Sequence, residues 1–345
     1  MFLFGDTFDH YATADLTAKW TSVVGSPTVD ASSGRRGTNS LRRTGGGTIA
    51  VTKTLVPGDA TFVCGFAWKQ DSSPIYYCLV NVLDGATEQM SLSVQLTSMQ
   101  LVVTRGSYNG TVLGTSTFAL STATYYYIEF KTLISNTVGT YEVRVNGVNV
   151  LSGSGVDTQA TAASQWTGFQ MRPYTLGSSI ITNVDDLYIL DGVASADPTY
   201  PDNNFLGDVA GYYLPPTAEG VTIEWTPSAG TDNAANVDET TPDTTDYNSA
   251  TATEKDTLTM PDVPVAGAVI LAYQTVLYAE KTDAGACTIA PVIRSVGTDY
   301  VGTAVSPSNG AYAYFLQPYS VDPATSLVPT EANWNAGEMG YKRVT

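Results

Sequence analysis

Strand-length runs of β-branched and aromatic residues, each bounded by Gly, Pro, Asp or Ser, recur at roughly 8–12-residue spacing through the first half of this chain. A 3.6-residue periodicity is hard to find anywhere, so helix is expected only as short turns near residues 13–19, 244–249 and 330–336. The predicted strands are 48–55, 61–69, 75–83, 90–96, 101–105, 125–134, 140–151, 165–172 and 180–190. Within the run 140–151, Asn146-Gly147 is a hairpin signal, because both turn residues need positive φ and Asn and Gly tolerate it best. Many short strands with regular turn signals predict a sandwich or jelly roll.

Around residues 194–204 the pattern breaks. This stretch carries Pro198 and Pro201 and no periodicity, and reads as a linker. Residues 226–248 are polar and acidic, a long loop, after which strands are expected at 256–260, 267–278, 287–294, 311–318 and 338–344. The fold class is therefore all-β, with two β-sandwich (jelly-roll) domains in tandem, 1–193 and 205–345.

The net charge is −17 and is unevenly spread. Residues 1–193 hold eleven basic against fourteen acidic side chains, while residues 194–345 hold five against nineteen. So acidic a second half argues against nucleic acid, which needs basic surface to neutralise phosphates, and against anionic membranes. No stretch reaches the length of a membrane span, and the N-terminus lacks the basic-then-apolar pattern of a signal peptide, so synthesis and folding in a cytoplasm are expected. Three scattered cysteines and one histidine offer no disulfide framework and little soft-metal chemistry; Cys64 and Cys78 read as small buried residues.

The run from Asn183 to Gly192 places two adjacent aspartates inside an apolar strand. Strict alternation would put Asp185, Leu187 and Ile189 on one face and Val184, Asp186, Tyr188 and Leu190 on the other. A carboxylate among core-facing aliphatics needs a partner, so a cation or a set of backbone amides is expected beside it.

The opening Asp6-Thr7-Phe8-Asp9-His10-Tyr11, then Trp20, Gly34-Arg35-Arg36-Gly37-Thr38-Asn39-Ser40-Leu41-Arg42, the Val145-Asn146-Gly147 hairpin and the closing Val184-Asp185-Asp186-Leu187-Tyr188 resemble laminin-G-like, concanavalin A-like jelly rolls. Tailed bacteriophages carry such modules in virion proteins. Phe205-Leu206-Gly207-Asp208, Glu224-Trp225-Thr226-Pro227-Ser228 and Asn236-Val237-Asp238-Glu239 look like the segment that often follows in phage structural proteins.

The resemblance implies a virion structural protein, capsid-decorating, fibre or tail-associated. It would act by assembly with other virion proteins, as a homo-oligomer, and by adhesion to host surface glycans. The alternative is a soluble carbohydrate-binding or glycan-degrading jelly roll outside any virion. The resemblance also implies a structural calcium held by Asp9 or Asp6 together with Asp185, with carbonyls near residues 37–40 completing an oxygen shell. The other reading of Asp185 is an acceptor of backbone amides in a turn.

Aromatics on which a sugar could stack are Trp68, Tyr76, Tyr108, Trp166 and Tyr174, and all but Tyr108 serve equally well as packed residues. Catalysis is not expected. Related glucanases use an alternating Glu-x-Asp-x-x-Glu strand that is absent here, His10 has no nucleophile elbow near it, and Gly45-Gly46-Gly47 lacks the lysine of a phosphate loop. Partners among nucleic acids and membrane insertion are likewise not expected.

Overall fold

The computed structural model describes residues 1–45, 47–71, 77–171, 174–175, 180–194, 197 and 203–345. The chain divides into two compact units, described in turn: Met1–Phe8, Ala12–Ala194 and Pro201–Gly211 form the first, and Asp9–Tyr11, Ser195–Tyr200 and Tyr212–Thr345 the second. By packing, the segment ending at Gly211 goes with the first unit, whereas the sequence reading began the second at Phe205.

In the first unit the strands are β1 (Phe2–Asp6), β2 (Ser22–Val24), β3 (Thr28–Asp30), β4 (Ser40–Thr44), β5 (Gly47–Thr48) and β6 (Ala50–Thr54). Next come β7 (Thr61–Gln70), β8 (Tyr77–Asp84), β9 (Thr87–Val94), β10 (Gln100–Arg105), β11 (Thr111–Ala119) and β12 (Tyr126–Leu133). The unit ends with β13 (Gly139–Val145), β14 (Val148–Val156), β15 (Gly168–Met171), β16 (Tyr174–Thr175) and β17 (Ile181–Leu190). An eight-stranded sheet runs β14-β13-β12-β7-β17-β4-β3, with β1 also on β17; a seven-stranded sheet runs β11-β10-β9-β8-β15-β6-β2. All pairings in the two sheets are antiparallel, and Phe2 opposes Leu190 across the span of the unit.

The core lies between these sheets. Phe62, Cys64, Phe66 and Trp68 of β7 meet Met90, Leu92, Val94, Val80, Val82 and Phe169, all without exposed area. Phe62 packs 6.4 Å from Phe169 and edge-on to Trp166 at 5.0 Å. Burial of this apolar surface, at about 25 cal/mol per Å², is the main stabilising term. The hairpin turn is as expected: Asn146 and Gly147 join β13 to β14 with φ of 49° and 79°.

Among the described residues the helices are a 3₁₀ turn at Thr13–Asp15, α1 (Leu16–Lys19) and, in the second unit, α2 (Glu331–Asn335), where the Thr330 hydroxyl accepts from Asn333 N at 3.1 Å. The turn expected at 244–249 is not helical. Asp243 accepts from Thr245 N at 2.7 Å and closes a tight turn, and Asn248–Ser249 then pairs with Thr226–Pro227. The second unit is built on a five-stranded antiparallel sheet, ordered Ala218–Ile223, Lys255–Thr259, Glu338–Arg343, Ile289–Ser295 and Thr298–Val301. A separate two-stranded ribbon pairs Tyr273–Ala279 with Ala313–Tyr319. The Glu224-Trp225 motif is a turn whose two amides donate to buried Asp256 Oδ1 at 2.7 and 2.9 Å.

Candidate functional site

The two sheets of the first unit each have an outer face, and both carry polar side chains. On the seven-stranded sheet, register places Thr52 of β6 opposite Gln170 of β15, Gln170 opposite Asn81 of β8, Asn81 opposite Ser91 of β9 and Ser91 opposite Thr104 of β10. Side chains at one register point to one face, so an amide-and-hydroxyl row crosses five adjacent strands. At about 4.8 Å per strand it spans roughly 19 Å. Its neighbours along each strand, such as Phe169, Val82, Met90 and Val103, face the core.

The row is partly satisfied from within. Gln170 Nε2 donates to Thr52 Oγ1 at 2.9 Å, and Thr104 Oγ1 donates to Ser107 O at 2.9 Å. Ser91 Oγ lies 2.8 Å from Asn81 Oδ1 and 2.7 Å from Gly106 O, and its single proton serves one of them. Asn81 Nδ2 and, one step along β9, Ser93 Oγ have no hydrogen-bond partner among the described residues. Both residues are 0% exposed. Turning the Asn81 amide over exchanges which of its atoms is left over without removing the deficit. Such a group costs about 1–3 kcal/mol when nothing meets it.

Residues 106–110, which carry Tyr108, fold over the β10 end of the row: Gly106 N donates to Gln89 O at 2.8 Å and Gly110 N to Ser107 O at 2.7 Å. Tyr108 is half-buried there, and Thr52 and Gln170 are half-buried towards the other end.

The eight-stranded sheet is closed differently. The expected alternation fails at Asp185–Asp186, where β17 bulges: Asp185 opposes Ala67, Tyr188 opposes Gly65, and two residues face Phe66 alone. Asp186 takes φ of 50°, a conformation that Asp tolerates better than most residues. Asp185 and Tyr188 thus share the outer face.

Each aspartate finds one of the two expected kinds of partner. Asp185 accepts Arg35 N at 2.9 Å and Asp186 N at 2.7 Å, with Thr38 Oγ1 at 3.4 Å. Asp186 is clasped by both terminal guanidinium nitrogens of Arg36 at 2.8 and 2.7 Å. Residues 203–211 then cross this face as a strap. Leu206 N donates to Tyr188 OH at 3.1 Å, Gly207 N to Glu129 Oε1 at 2.8 Å, and Gly211 N to Asp186 Oδ1 at 2.9 Å. Asp208 pairs with Arg35, and the Phe205 ring lies 4.5 Å under Arg144. Burial raises the Glu129 carboxyl above its ordinary range, against the lowering effect of its bonds from Tyr188 and Gly207.

The remaining sequence candidates separate. Trp166 is corrected: it is 0% exposed and its Nε1 donates to Thr61 O at 3.0 Å, so it fills the core and offers no sugar platform. Trp68 is equally buried. Tyr76 lies outside the described residues, and Tyr174 is described only through its backbone. Of the calcium candidates, Asp6 holds Lys19 and Phe8 N, each at 2.9 Å, and Asp185 holds the amides above; both belong to the first unit and Asp9 to the second. No group of three or more His, Cys, Asp or Glu able to hold a metal occurs among the described residues.

In the second unit a cleft beside Tyr273, Trp334 and Asp322 measures about 30 Å³, room for one or two waters and not for a sugar ring. No helix among the described residues is long and apolar enough to cross a membrane, which says nothing of β-barrels. Sequence reasoning missed the row on β6, β15, β8, β9 and β10, because it looked for exposed aromatics. The signal was there in Asn81, Ser91, Ser93 and Gln170, polar residues alternating with Val, Met, Leu and Phe.

No protein-family model matches the sequence, and no curated protein matches it. Among solved structures, the endo-β-1,4-glucuronan lyase of the fungus Trichoderma reesei is 13% identical and covers 49% of this chain and 90% of its own, with a TM-score of 0.41. Alginate lyase Aly36B is 12% identical over 54% of this chain and 96% of its own, with a TM-score of 0.39. A carbohydrate esterase from the Shiga toxin-encoding bacteriophage phi24B is 15% identical over 54% of this chain and 98% of its own, with a TM-score of 0.37. At these scores the likeness does not assign a chemistry to this chain. The expectation that the chain is no enzyme is withdrawn, since two lyases and an esterase are among the structures it is similar to. The missing Glu-x-Asp-x-x-Glu strand excludes a single hydrolytic arrangement and nothing wider.

Proposed function

We propose that the first unit is a glycan-directed module and that the outer face of its seven-stranded sheet receives the saccharide. The observation that carries this reading is the five-strand row Thr52–Gln170–Asn81–Ser91–Thr104, whose half-buried Thr52–Gln170 end reaches solvent, while the buried Asn81 amide and nearby Ser93 hydroxyl have no partner among the described residues. Amides and hydroxyls that both donate and accept match the hydroxyl groups of a sugar. A row of side chains held on strands meets an extended polymer with little loss of rotamer freedom. Residues 1–193 hold eleven basic against fourteen acidic side chains, a small acidic excess that mildly favours a polymer with few anionic groups.

Affinity electrophoresis through gels containing neutral and uronate polysaccharides tests the reading. Retardation by a neutral polymer, weakened about tenfold in Gln170→Ala for a lost interaction of roughly 1.4 kcal/mol, is expected. A chain that no polysaccharide retards, or a Gln170→Ala variant bound as tightly as the parent, sinks it. Shortening of the bound polymer in the same assay would extend the module from binding to turnover. Residence in a virion, which the motif order implied, is a separate proposal, tested by co-purification with particles at fixed stoichiometry.

A further inference from the structure

Away from either outer face, the first unit encloses an amine and a carboxylate in direct contact. Lys19 Nζ, on the last residue of α1, lies 2.9 Å from Asp6 Oδ1, on the last residue of β1, and neither side chain has exposed area. Their surroundings are aromatic. Lys19 Nζ is 5.8 Å from the centre of the Phe4 ring, which packs 5.2 Å from Trp20 and 5.9 Å from Phe169, and Phe8 stacks parallel to Trp20 at 6.4 Å. A second amine enters the same environment: Lys53 Nζ sits 5.3 Å from the Phe4 ring and donates to Lys19 O at 2.5 Å.

Burial lowers the proton affinity of Lys53, consistent with its carrying the free amine. An amine and a carboxyl held at contact distance in a dry site have the high effective concentration that amide formation requires.

We propose that Lys19 Nζ and Asp6 Cγ condense to an isopeptide bond that staples β1 to α1. Lys53, as free amine, takes a proton from the Lys19 ammonium, and the exposed lone pair attacks Asp6 Cγ to form the C–N bond. One Cγ–O bond then breaks. That oxygen leaves as water, carrying the second proton from the Lys19 nitrogen and the proton returned by Lys53. Ammonium and carboxylate become amide and water with no change of oxidation state and no added reactant, and exclusion of bulk water opposes the reverse step.

Mass spectrometry of the full-length chain, denatured without proteolysis, is expected to give the sequence mass less one water. Trypsin is expected not to cleave after Lys19, and fragmentation of the peptide spanning that site should yield no backbone breaks resolved between residues 6 and 19. Lys19→Arg keeps a cation opposite Asp6 but cannot form this bond, and should return to the full sequence mass. The parent-chain measurement needs no variant to fold. An intact mass equal to the sequence mass overturns the proposal. So does cleavage after Lys19 in a chain that has lost water, because the loss then lies elsewhere, as in a cyclised aspartate.

Discussion

The two outer faces of the first unit are both polar and both largely buried, yet they are completed by different means. On the eight-stranded sheet the chain supplies its own cover: residues 203–211 lay amides and a carboxylate onto Glu129, Tyr188, Arg35 and Asp186. On the seven-stranded sheet the 106–110 loop covers one end of the row, and Asn81 Nδ2 and Ser93 Oγ have no partner among the described residues. A polar outer face is therefore no sign of function by itself. What distinguishes a strapped face from a receiving one is the balance of donors and acceptors after the chain's own segments are counted.

The sharpest way to break the comparison is to unfasten the strapped face. Arg36→Ala removes the bidentate partner of fully buried Asp186, and a destabilisation of about 3 kcal/mol is expected in urea titration. A loss below about 0.5 kcal/mol would mean that the strap is ornamental. Next in size is Asp185→Asn, which keeps the shape but weakens the bonds from Arg35 N and Asp186 N. It should cost roughly 1–3 kcal/mol, while chelator leaves the parent's melting temperature unchanged. A melting temperature lowered by chelator and restored by calcium would instead place a cation at Asp185.

Glu129 gives a pH signature to the same face. Its folded-state affinity for protons is raised by burial, so the folded chain holds a proton that the unfolded chain releases. Its contribution is full below the ordinary glutamate range and is lost as pH rises through the raised folded value. Glu129→Gln should flatten that part of the stability–pH curve measured by thermal melts; an unchanged slope assigns it to another group. The smallest effect is expected on the opposite sheet. Ser93→Ala deletes a hydroxyl with no partner among the described residues and should shift stability by no more than about 0.5 kcal/mol, in either direction. A larger loss would show that Ser93 is satisfied and that the contrast between the faces is smaller than drawn.

Much of the framework was legible because local chemistry dictated it. Asn146-Gly147 has one comfortable turn, and the runs that became β7, β12 and β17 alternate or fill with β-branched residues. β11 escaped because Thr111–Ala119 mixes Gly114 with Ser and Thr, a run that reads as loop until β10 pairs with it. The bulge at Asp185–Asp186 escaped because alternation says nothing of register until the partner strand is known. The strap was hidden by its own composition. Phe205-Leu206-Gly207-Asp208 looks like the start of a new domain, and only Glu129 and Tyr188, some 20 to 80 residues earlier, give its amides somewhere to go. For the candidate site, Trp166 misled because a large aromatic near a turn is as good a plug as a platform.

One pairing also sets the order of events in time. Among the described residues β1 pairs with β17 alone, and Met1 N donates to Asp191 Oδ1 at 2.7 Å. During synthesis the opening strand must therefore wait, unpaired, until some 190 residues have been made, and the strap that covers the same sheet emerges later still. Closing so long a loop makes folding slow, and in the interval the apolar side of β1, with Phe2 and Phe4, has nothing to lie against on its own sheet. A strand made some 190 residues ahead of its partner is thus among the last to take its place.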